Sequence, residues 1–121
     1  MMRTVSDAQK LKTNEQLFIG KPLKTLLKEI KPEIKMVFVE SKRADGALSY
    51  IVFRFVDRQT WQKEYGEGKT PLGIRVFIKE HFEWDKTDKS PAERLSWTKE
   101  DAKKYGDLTI VAIRVYGEVL K

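Results

Sequence analysis

The sequence predicts an α+β domain: a curved antiparallel sheet of about four strands, with one main amphipathic helix packed on one face and short helices in the connections. Three observations carry this expectation. Segments 34–41, 48–57, 73–85 and 108–116 alternate in the period-two manner of strands. Leu23, Leu26, Leu27 and Ile30 recur at helical spacing. Asp45-Gly46, a preferred two-residue hairpin turn, stands between the first two alternating segments.

Residues 1–16 mix charge with Ser, Thr, Asn and Gln around scattered apolar positions, the pattern of a flexible N-terminal arm; a single α+β domain is expected over 17–121. Pro22 suits the first turn of a helix because its missing N–H would be unpaired there, and Pro32 closes the same helix by excluding its predecessor from the α region. Carrying a two-residue turn at Asp45-Gly46 into the flanking segments pairs Phe38 with Phe53, Met36 with Phe55 and Glu40 with Ile51, which gathers the large apolar residues on one face. The reverse face then pairs Val39 with Val52, Val37 with Arg54 and Ser41 with Tyr50. Asp57 can cap a short helix through Trp61 and Tyr65 that ends at Gly66-Glu67-Gly68. In 73–85, Ile74, Val76, Ile78, Phe82 and Trp84 take one face, and Arg75, Phe77, Lys79, His81, Glu83 and Asp85 the other. Thr98 with Asp101 three positions on reads as a capping box, with Gly106 placed to stop that helix. In the last segment Val111, Ile113 and Val115 share one face, and Ile110, Ala112, Arg114 and Tyr116 the other. Strand order does not follow from these patterns.

The absence of cysteine from the 121 residues excludes disulfides, thiolate zinc sites and cysteine nucleophiles. The net charge of +6 is concentrated at the start, where residues 1–35 carry eight Lys/Arg against four Asp/Glu. Such a balance favours anionic partners, although it also serves plain solubility. No apolar run reaches the roughly 20 residues that span a bilayer. The expected protein is soluble, either cytoplasmic or exported with its signal peptide removed.

Gly66-Glu67-Gly68-Lys69-Thr70 falls short of a phosphate-binding loop, since Lys63 occupies the first glycine's place and the segment leads into Pro71 and a strand. His81, Glu83 and Asp85 alternate on one strand face and can be read as a metal or acid–base cluster, or as a solvated face without a second histidine. Trp61, Trp84 and Trp97 each adjoin polar residues, as ligand grooves and core rims both require. Lys21, Lys24, Lys28 and Lys31 give the first helix a basic face.

The more distinctive set is Tyr50, Arg54, Arg75, Phe77, Lys79, Arg114 and Tyr116, which fall on the second face of the sheet and interleave rings with cations. That face is too apolar for plain solvent and too basic for plain core. The expected function is a non-catalytic binding or protein-interaction domain working through it, with another protein or a second copy as partner. Single-stranded nucleic-acid binding through the same face is one alternative, and a small metal-dependent or hydrolytic enzyme around His81 is the other. No cofactor motif is present in the sequence.

Overall fold

A computed structural model describes residues 1–41, 46–86 and 89–119. The chain is α+β, with a four-stranded antiparallel sheet of β1 (Met36–Glu40), β2 (Ser49–Arg54), β3 (Gly73–Ile78) and β4 (Ile110–Tyr116) in the order β1-β2-β3-β4. Its helices are α1 (Gln9–Thr13), α2 (Leu23–Leu27), α3 (Arg58–Gly66), α4 (Pro91–Arg94) and α5 (Lys99–Tyr105). In this meander each strand pairs with the next one in the sequence, and two of the three connections carry helices, α3 between β2 and β3 and α4 with α5 between β3 and β4.

The inner face of the sheet buries Val37, Ile51, Phe53, Ile74, Val76, Ile78 and Ile113. Against them pack Leu11 of α1, Phe18, Leu23 and Leu26 of α2, and Tyr105 of α5. No one helix covers this face, contrary to the sequence expectation. The helical turns after Pro22 stop at Leu27 because Glu29 and Ile30 bond back only three residues, to Leu26 and Leu27, and Lys31 N–H donates to Met2 C=O. The backbone of 29–31 is thereby diverted into a parallel bridge with the N-terminus, Met2 opposite Ile30.

That bridge also changes the reading of residues 1–16 as a free arm. Met2, Ala8 and Leu11 are buried in the core, and α1 lies along the outer edge of β4. There Lys12 Nζ donates to Ile113 C=O (3.0 Å), while Glu15 accepts from Ile113 N–H (2.6 Å) and from Lys12 (2.9 Å). The pair replaces a missing neighbouring strand at one residue and so protects the edge from pairing with another chain.

The β1–β2 register differs by one residue from the sequence expectation. Val37 lies opposite Phe53, Phe38 opposite Val52, Met36 opposite Arg54 and Glu40 opposite Tyr50. Nine residues, 41–49, separate the last pair, whereas a two-residue turn under continuous pairing leaves an even number. Asp45 lies outside the described residues; Gly46 has φ +76°, a conformation glycine adopts without strain. The slip leaves β2 on its expected faces and turns β1 over: Val37 and Val39 point to the core, and Met36, Phe38 and Glu40 join the second face.

β3 ends at Ile78, not at Asp85. A register irregularity between Phe77 and Ile78 sets Ile78 opposite Ile110, which moves Ile110 to the buried face, and Lys79 N–H then bonds Thr109 C=O. Just beyond, the Glu80 carboxylate accepts from both Thr109 N–H (2.7 Å) and Thr109 Oγ1 (2.8 Å), so a side chain takes up this backbone donor. The 79–86 segment is instead held by side chains. Tyr105 Oη donates to Glu83 C=O, and Lys86 Nζ reaches Asp101 (2.7 Å) and Ser96 C=O (2.9 Å). Asp101 also closes the expected capping box with Thr98.

Candidate functional site: the arginine and aromatic face of the sheet

The second face begins with a glycine. Gly73 lies between Arg54 of β2 and Tyr116 of β4, and a Cβ placed on it would stand 2.9 Å from the Tyr116 ring. With no side chain there, Arg54 and Tyr116 close over β3 and meet, Arg54 Nη2 donating to Tyr116 Oη at 3.0 Å. Arg54 Nη1 donates to Pro71 C=O, also at 3.0 Å. The residue is only 6% exposed, and burial, helped by Arg75's charge and opposed by Tyr116, holds its guanidinium below the ordinary arginine value.

Rings and cations alternate outward from this contact. Tyr65 stacks on Trp61 (4.9 Å), Arg54 sits 5.3 Å from Trp61 and 5.6 Å from Tyr116, Arg75 lies 5.4 Å from Tyr116 and 4.4 Å from Tyr50, and Tyr50 meets Phe77 edge-on at 5.9 Å. Each cation placed over a ring face contributes about 0.5–1 kcal/mol at a partly exposed site. α3 supplies the near end of this row. Asp57 caps it by accepting from Thr60 N–H (2.7 Å), which directs Trp61 onto Phe38 of β1 at 5.2 Å.

An open groove of about 460 Å³ runs over Val52 between Phe38, Trp61, Tyr65, Arg54, Arg75 and Tyr116. A smaller hollow of about 180 Å³ adjoins it and is lined by Arg75, Arg114 and Tyr116. The two hollows share Arg75 and Tyr116. Among the described residues, Glu40 is the one acid on the larger groove's wall, and neither Arg54, Arg75 nor Arg114 forms an ion pair. Arg75 and Arg114 lie directly opposite each other in the β3–β4 register, an arrangement of like charges that works against the fold. Arg54 Nε, Arg75 Nε and Trp61 Nε1 are buried without hydrogen-bond partners. Donors left so cost about 1–3 kcal/mol each.

Of the residues expected on this face, Tyr50, Arg54, Arg75, Phe77, Arg114 and Tyr116 are there. Lys79 is not: it follows the end of β3, with its backbone turned to Thr109. Phe38, Trp61 and Tyr65 complete the groove; of the three the sequence offered only Trp61 as a groove candidate, without placing it on this face. Phe38 was hidden by the register slip, and Trp61 and Tyr65 reach the sheet only through the packing of α3.

His81, Glu83 and Asp85 do not share a strand face, because β3 has already ended. Asp85 pairs with Lys104 (2.6 Å), which holds its carboxyl below the ordinary aspartate value, and no cluster suited to a metal ion occurs among the described residues. Trp84 and Trp97 belong to the other side of the sheet, stacked on each other at 6.4 Å with Trp97 edge-on to Phe53. The basic helix face is solvated, and Lys24 pairs with Asp107. Among the described residues no helix is long and apolar enough to cross a membrane.

Compared with known proteins, the chain matches no family model, no curated protein and no solved structure.

Proposed function

We propose that this chain is a non-catalytic binding domain whose working surface is the second face of its sheet. The observation that carries the reading is the set Arg54, Arg75 and Arg114, three arginines side by side with no carboxylate partner among the described residues, opening into a groove walled by aromatic rings. A domain that used this face only as cover would gain by replacing Arg75 or Arg114 with a neutral residue, since their opposed charges are unfavourable. An anionic group laid between them removes that cost and adds charge-assisted hydrogen bonds. The partner bears negative charge: an acidic protein, an acidic patch on a second copy of the chain, or a nucleic acid.

Sedimentation velocity tests the reading with the chain alone over a range of concentrations, with polyglutamate and with an oligothymidylate. At least one of the three is expected to give a faster-sedimenting species that Arg75→Glu abolishes. No such species under any condition, or one that persists undiminished in Arg75→Glu, overturns it.

A further inference from the structure

Resting on that reading, we infer that the ligand is a single-stranded nucleic acid, with a phosphate in the Arg75–Arg114 hollow and a base against the outer ring face of Tyr65. The two hollows differ in chemistry and adjoin at Arg75 and Tyr116, which line both. One is cationic and small; the other is larger and aromatic. A ligand filling both carries a compact anion joined to a planar apolar group, which is the composition of a nucleotide unit.

The ladder narrows where a base can stack. Trp61 is already engaged by the stacked Tyr65 ring and by Arg54, and the Tyr116 ring by both Arg54 and Arg75. Tyr65 ends the row. It stacks on Trp61 through one face and is 60% exposed. An acidic peptide would use the arginines but leaves this exposed ring without a role. Arg54 reaches the ligand indirectly, since its terminal nitrogens are engaged by Pro71 and Tyr116. Arg75 and Arg114 have no such engagement among the described residues, and their guanidinium groups suit bidentate contact with phosphate oxygens. The excess positive charge of the chain, +6, adds long-range attraction for a polyanion.

Fluorescence anisotropy of a labelled oligothymidylate with the full chain is the test, read at several salt concentrations. Saturable binding at low salt is expected, weakening as salt rises. Arg75→Gln and Arg114→Gln should each weaken it and flatten the log–log salt dependence by about 0.7, the contribution of one phosphate contact to a single strand. Tyr65→Ala should weaken binding about tenfold with the salt slope unchanged, the mark of lost stacking. Tyr65 is exposed, so that variant is expected to fold, and circular dichroism checks it. The inference is overturned by absence of saturable binding at low salt, or by binding that Arg75→Gln and Tyr65→Ala leave intact. If polyglutamate forms the Arg75-dependent complex and the oligothymidylate does not bind, the nucleic-acid assignment falls while the binding face stands. If neither binds and the chain does not self-associate, both fall.

Discussion

Arg54 and Arg75 carry the same guanidinium on neighbouring strands of one face, yet their surroundings give them opposite duties. Arg54 is almost fully enclosed and ties Pro71 to Tyr116 across Gly73. Arg54→Met should lower stability by about 2 kcal/mol, because Pro71 C=O and Tyr116 Oη lose a charged donor in a poorly solvated place. Arg75→Gln forfeits two cation–ring contacts but relieves the opposition to Arg114, so its cost should stay near 0.5 kcal/mol or less. Urea unfolding of both variants, compared at equal m-values, checks the order. A larger loss for Arg75→Gln would reverse the assignment of duties. At this scale most of the site was legible: alternation alone places Tyr50, Arg54, Arg75, Phe77, Arg114 and Tyr116 on one face, since side-chain direction along a strand depends only on the count of residues. What alternation cannot supply is which arginine is enclosed. That follows from Gly73, whose missing side chain matters only once β2 and β4 are known to flank it.

Strand edges and strand ends are where sequence reasoning and structure part. The turn at Asp45-Gly46 implies an even-numbered return, and the observed odd-numbered return moves Phe38 from the core to the groove while Phe53 stays buried. β3 stops seven residues early because Glu80 captures Thr109, a contact between residues 29 apart that no local pattern records. The N-terminal segment is a similar case. Leu11 and Glu15 are scattered in a polar stretch, yet one enters the core and the other closes the edge of β4. The Glu15 carboxyl is held below its ordinary value chiefly by the Ile113 N–H, with Lys12 assisting and burial opposing. A depressed carboxyl favours the fold in its charged form, so this contribution is complete above the ordinary value of 4.5 and is lost as pH falls through the lower folded value. Glu15→Gln should therefore cost about 1 kcal/mol at neutral pH. The difference from the parent should shrink as pH falls below 4.5, where the unfolded chain takes up the proton first, and vanish once the folded carboxyl is protonated as well. Thermal unfolding of both proteins across that range is the check, and a difference independent of pH would contradict the clamp.

The molecule as a whole is a sheet with two unlike covers. Helices α1, α2 and α5 seal one face with apolar side chains; the other has α3 at one end and a row of stacked rings and arginines over the rest. The first cover depends on the N-terminal residues, so Leu11→Ala should cost about 3 kcal/mol, as for any fully buried leucine, where a free arm would make it neutral. A shift in the urea midpoint reads this directly. The second cover leaves a groove, and the positions of the three tryptophans allow the two sides to be watched in one experiment. Trp61 lies in the groove wall, while Trp84 and Trp97 stack together on the helix-covered side, where Trp84 Nε1 donates to Arg94 C=O. Titrating oligothymidylate into the ¹⁵N-labelled chain at low salt and following the three indole N–H signals tests the central claim that the arginine and aromatic face is the working surface. The Trp61 signal should move progressively and saturate while those of Trp84 and Trp97 stay in place. Movement of Trp84 and Trp97 with Trp61 unchanged would contradict it.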